Sequence, residues 1–170
     1  MGRASTKENK NEYFQAREAL GLTRADASEL LETITEDKLE RIESGKIAPR
    51  AEDVLIMAQK YKKPELCNYY CSNECPIGQK MVPQVKIKEL QSIVLEMLAA
   101  LNNVGKTKDR LIEIAADGVI SADEIDDFIA IQNELERIST TVDTLKLWTE
   151  KMLSSGAIDR AEYEKRLTPQ

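Results

Sequence analysis

The chain has 170 residues, 42% of them hydrophobic and 32% charged, with only 5 Pro and 7 Gly. That composition excludes a disordered polymer and leaves room for one large or two small domains. The net charge is −6, divided as 12 Lys and Arg against 13 Asp and Glu in residues 1–66 and 12 against 17 in residues 67–170. Neither half is a polycation, and phosphate attraction supplies much of protein affinity for DNA, so any nucleic-acid binding must rest on a local basic face.

No apolar run approaches the roughly 18 residues of a membrane span, and the polar start MGRASTKENK lacks the apolar core of a signal peptide. Three cysteines, an odd number, point to a reducing compartment with free thiols. The expectation is a bacterial cytoplasmic protein.

In chain order, residues 1–10 read as a flexible tail and residues 11–75 as a helical domain. Within it, Arg17 to Pro49 reads as three short helices in quick succession. Gly21 follows an amphipathic segment ending at Leu20, Thr23 caps a helix opening at Arg24, and Thr35 caps another that runs to Ser44 before Gly45 stops it. In AEDVLIMAQKY, Val54, Leu55, Ala58 and Tyr61 are spaced to bury one face. Pro64 opens a fifth helix carrying Leu66, Cys67, Tyr70 and Cys71.

The ending IESGKIAP, with ALGLTRADAS upstream, resembles the phage-repressor and XRE family of DNA-binding helix-turn-helix domains over roughly the first 70 residues. The resemblance implies five short helices, a structural ion pair between Arg17 and Glu43, and DNA contact by Thr23, Arg24, Thr35, Glu36, Asp37, Lys38, Arg41, Lys46 and Arg50. The pair Thr23 and Arg24 would anchor a phosphate. Two departures stand out. Glu36 and Asp37 occupy positions where the family commonly has Gln or Ser; carboxylates there suit the positive end of the helix but meet repulsion from phosphate. Glu32 sits where the family has glycine, with one extra residue near Thr33.

Cys67, Cys71 and Cys75 recur at four-residue steps before Pro76 and Gly78. Thiolates so arranged suit zinc, an iron-sulfur cluster or a redox switch, but a closed zinc site needs a fourth ligand and the chain has no histidine. The preferred reading is packing, with no cofactor, because a free cysteine behaves as a small buried hydrophobe.

Residues 76–84, PIGQKMVPQ, read as a linker, and residues 85–170 as a helical hairpin that dimerises. Its first helix carries Ile87, Leu90, Val94, Met97, Leu101, Val104, Leu111 and Ala115 at coiled-coil spacing. The second carries Phe128, Ile131, Leu135, Ile138, Val142, Leu145, Trp148 and Met152. Between them, ADGVISADEI is too poor in oxygen ligands for calcium. It reads instead as a corner in which Gly118 ends one helix, Ser121 and Glu124 cap the next, and Ile120 staples onto Ile125. The device recurs 38 residues later in SSGAIDRAEY, with Gly156, Ile158, Asp159, Glu162 and Tyr163.

The fold expected is all-α: a five-helix repressor-like head and a long antiparallel helical hairpin. Two hairpins pairing would give a four-helix bundle with twofold symmetry. The leading expectation is a dimeric transcriptional regulator binding double-stranded DNA through Thr35 to Ser44. The competing one is a protein-interaction module or scaffold with a repurposed head. No enzyme is expected, since there is no histidine, no nucleophile beside an evident base and no glycine-rich phosphate loop.

Overall fold

The computed structural model describes residues 10–167, and all regular structure among them is helical. The tail expected over residues 1–10 lies almost wholly outside the described residues. The elements are α1 (Glu12–Ala19), α2 (Arg24–Leu31), α3 (Glu36–Glu43), α4 (Ala51–Lys60), α5 (Glu65–Asn73), α6 (Gly78–Met81), α7 (Leu90–Ala115), α8 (Ile125–Ser155) and α9 (Arg160–Leu167). They divide into two compact units, one running to Gln84 and including the chain from Glu150 onward, the other Val85–Thr149. The boundaries drawn from sequence therefore differ from the packing in two respects. Part of the expected linker is the helical turn α6, and residues from Glu150 pack with the head.

In the head, α1, α2 and α3 each begin on a side chain that takes an orphan backbone N–H. Asn11 accepts from Phe14 N–H, and its amide also donates 2.7 Å to the Ile42 carbonyl, tying the start of α1 to the end of α3. Thr23 and Asp26 cap α2 reciprocally, and Thr35 caps α3. Gly45, at φ +71°, ends α3 while Lys46 and Ile47 N–H both return to the Arg41 carbonyl. These helices enclose Tyr13, Ala27, Leu31, Ile34, Leu39, Ile42, Val54, Met57, Tyr61 and Leu66. On α4 the buried apolar residues are Val54, Met57 and Ala58, while Leu55, expected inside, is 52% exposed.

α5 is held to the front of the head by Tyr13, whose hydroxyl donates 3.0 Å to Glu74 and whose ring meets Tyr69 edge to face. Behind it, α6 turns back on α5 so closely that a Cβ on Gly78 would lie 2.1 Å from the Cys71 carbonyl oxygen. At the end of α8, Leu153 is buried and Lys151 donates to the Lys62 carbonyl at 3.3 Å and to Glu65 at 3.5 Å. α9 is capped by Asp159, which accepts from Glu162 N–H at 2.7 Å.

In the second unit, α7 and α8 are antiparallel. Asn103 bonds Glu134 and Arg110 bonds Asp127, so a step of seven along one helix is a step of seven back along the other. At the corner, Gly118 has φ +72° and Ser121 gives both N–H and hydroxyl to Glu124, at 3.0 and 2.6 Å. Ile120 and Ile125 are each more than 40% exposed, so they do not form a closed staple.

The buried seams differ in part from the expected stripes. On α7 the inward positions are Ile93, Met97, Ala100, Val104, Leu111 and Ile114; Val94 and Leu101 face solvent. On α8, Ile131, Thr141, Thr144 and Leu147 are buried, and Leu135 is not. The two threonines are tolerated because each hydroxyl bonds the carbonyl four residues back, Arg137 and Thr140, at 2.8 Å. Among the described residues no helix is long and apolar enough to cross a membrane.

Candidate nucleic-acid interface

The geometry of α3 is set from beneath. Leu39, Ile42 and Glu43 face inward, which leaves Glu36, Asp37, Arg41 and Ser44 exposed. The inward Glu43 is 3% exposed and takes two arginines. Arg17, 7% exposed, reaches it through Nε at 2.5 Å and Nη2 at 2.9 Å, while its Nη1 donates to the Leu22 carbonyl at 2.5 Å. The hydrogen bonds it donates to Glu43 raise the Arg17 pKa above the ordinary guanidinium value, and its guanidinium carbon lies 4.9 Å from the centre of the Phe14 ring. The other donor is Arg24, which uses Nε at 2.9 Å. One buried carboxylate thus joins α1, α2 and α3.

That connection gives Arg24 its geometry. Its side chain is 30% exposed, and only Nε carries a bond among the described residues, so both terminal nitrogens are left for another acceptor. Thr23, just before it, is exposed and committed to capping α2 with Asp26.

The remaining candidates fall into two groups. Lys38 bonds Asp53 on α4 at 2.7 Å, and Lys46 bonds Glu40 at 3.1 Å. Both were expected as DNA contacts, and both are partly neutralised in place. Arg41 and Arg50 are exposed, and their guanidinium groups are in no ion pair among the described residues. Thr35 is exposed at the cap of α3, with Lys38 N–H donating to its hydroxyl at 3.3 Å, and Glu36 and Asp37 stand exposed in the first turn. The outer face of α3 therefore opens acidic and turns cationic at Arg41.

Two residues organise this face, one passed over by sequence reasoning and one marked there as a departure from the family. Asp53 is 6% exposed and accepts from both Lys38 and the Arg50 backbone N–H, so it fixes the start of α4 against α3. Its position three residues after the loop residue Arg50 was the available signal. The other is Glu32, at φ 61° and ψ −45°, with the Thr33 N–H donating 2.6 Å to the Leu31 carbonyl across it. This is a three-residue turn of the uncommon hand, strained for any residue with a Cβ, and it sets the angle between α2 and α3. Glu32 also bonds Lys60 at 2.7 Å.

The cysteines lie away from this face, on α5 and just beyond it. Cys67 packs against the core, and burial pushes its thiol up from the ordinary value. Cys71 and Cys75 are half-buried, and the Cys75 sulfur accepts from Gly78 N–H at 3.5 Å. Among the described residues no group of three or more His, Cys, Asp or Glu is arranged to hold a metal ion.

Comparison with known proteins agrees with this geometry over the head alone. No curated protein and no solved structure matches the chain significantly. Residues 15–65, from the middle of α1 to the start of α5, match a family model described as a helix-turn-helix domain, and the resemblance read from IESGKIAP is thereby shown for that part of the chain.

Proposed function

We propose that the protein is a bacterial transcriptional regulator that binds double-stranded DNA through the outer face of α3. The match of residues 15–65 to a helix-turn-helix domain carries this reading and supports DNA binding at a coarse level. The arrangement of arginines refines it. Arg24, with its terminal nitrogens unbound, and Arg50 suit backbone phosphates on either side of the helix, while Arg41 suits a base edge or a nearby phosphate. Glu36 and Asp37 confine acceptable sequences, since a carboxylate in the groove accepts only from cytosine N4 or adenine N6.

A twofold dimer through the C-terminal helices would present two such faces to half-sites about 34 Å apart and multiply weak individual contacts. Selection of bound fragments from random DNA at moderate salt tests the reading. A sequence-enriched pool is expected, lost in Arg41→Glu and retained in Glu29→Gln on the exposed side of α2.

One observation favours a second reading, a protein-interaction module. The lysines of the face are tied to Asp53 and Glu40, leaving an acidic opening to α3. Such a face suits a basic partner. Under this reading the selected DNA pool shows no enrichment at any salt.

A further inference from the structure

α7 carries two apolar seams. The first faces α8. The second, formed by Val94, Leu95, Leu98 and Leu101, lies about 100° or more further round at roughly 3.6 residues per turn, and its side chains are 45%, 67%, 58% and 49% exposed. Its other positions, Gln91, Asn102 and Gly105, carry no charge.

Glu96 is the only charged residue from Leu90 to Gly105, and it points away from the seam to a bond with Lys88 at 2.7 Å. The surrounding unit is strongly biased the other way, since residues 85–149 hold 7 Lys and Arg against 12 Asp and Glu, a net −5. An uncharged apolar strip on an acidic body is a poor seat for DNA, which finds no cation there. A basic partner finds no carboxylate on it. An identical strip fits, because two acidic bodies repel least where neither presents a charge, and leucine on leucine needs no complementary residue on a different chain.

We infer that the Val94, Leu95, Leu98 and Leu101 face of α7 is closed by the same face of a second copy of this chain. The inference rests on the dimer reading above and specifies the surface that makes it. A contact without charges also has a distinctive salt response: dimerisation holds or strengthens as salt rises, whereas DNA binding weakens.

The test is sedimentation equilibrium of the full chain without DNA, at low and high salt, for the native sequence, Leu98→Ala, Leu95→Asp with Leu98→Asp, and the control Leu55→Asp, an exposed leucine on α4. Far-UV circular dichroism checks that each variant keeps its helix content, and the alanine variant, exposed and helix-favouring, leaves folding undisturbed. Expected are a two-chain mass at both salts for the native protein and Leu55→Asp, about tenfold weaker pairing for Leu98→Ala, and one-chain mass for the double variant. A native protein of one-chain mass overturns the dimer reading and the inference with it. A two-chain mass that survives the double substitution overturns the seam and leaves the dimer standing.

Discussion

Replacing Glu43 by Gln tests how the head is held together. The substitution preserves shape but removes the charge that faces Arg17 at 2.5 and 2.9 Å and Arg24 at 2.9 Å. Arg17 is 7% exposed and has no route to water, so a buried guanidinium is left with the Leu22 carbonyl and a weak amide acceptor. Breaking a buried pair from one side costs about 3–5 kcal/mol. With a urea slope of about 1–3 kcal/mol per molar for a small domain, the midpoint falls by roughly 2 M.

Four of the five tyrosines, Tyr13, Tyr61, Tyr69 and Tyr70, lie in the head, so the tyrosine bands of the near-ultraviolet ellipticity follow this transition, while Trp148 reports on the second unit. Arg24→Ala should cost only about 1 kcal/mol, since that side chain is 30% exposed and solvent screens its pairing. The double variant Arg17→Met with Glu43→Leu should cost less than the sum of its parts, because no orphan charge remains. A midpoint shift below about 0.5 M for Glu43→Gln would refute the hub.

Other outcomes follow from the same contacts. Gly78→Ala drives a Cβ onto the Cys71 carbonyl oxygen at 2.1 Å, and a strain of about 1–3 kcal/mol should loosen α6 from α5, read as faster tryptic cleavage at Lys80. Unchanged cleavage would contradict the close approach. Glu32→Gly should raise the melting temperature by a few degrees, because glycine accepts φ 61° without strain and the exposed bond to Lys60 contributes little; a fall would mean that bond dominates. Burial holds the Glu74 carboxyl above its ordinary range, against the opposing effect of the Tyr13 hydroxyl. A carboxyl raised in the folded state costs stability at neutral pH and ceases to do so below its unfolded pKa of about 4.3. The stability gained by Glu74→Gln should thus be largest at pH 7 and absent near pH 4, and a gain independent of pH would contradict the assignment.

The head was legible because its signals are local. Thr23, Thr35, Gly21 and Gly45 mark helix ends through chemistry within a few residues, and the Arg17 and Glu43 pairing followed from the family resemblance. What escaped depends on contacts between distant residues. Lys38 reads as a free cation until α4 brings Asp53 against it, and nothing in PIGQKM announces that Gly78 must fit over a carbonyl. The stripe on α7 was ambiguous for another reason. Met97, Val104 and Leu111 fit both expected and observed seams, and a three-four alternation through them runs equally well by way of Val94 and Leu101 or of Ile93 and Ala100. Packing against α8 selects Ile93, Ala100 and Ile114 instead. On α8, Thr141 and Thr144 were passed over as polar, although a helix can satisfy a threonine hydroxyl internally.

The salt dependence of binding to the selected DNA tests the central claim most directly. With Arg24, Arg41 and Arg50 as the phosphate-facing cations of each head, log K against log salt should fall with a slope of about −3 per head, or about −5 to −6 for a dimer. Arg41→Gln should make it shallower by about one per head. Absence of sequence-enriched binding at low salt, or a slope and affinity indifferent to Arg41, would contradict the assignment of the α3 face to DNA.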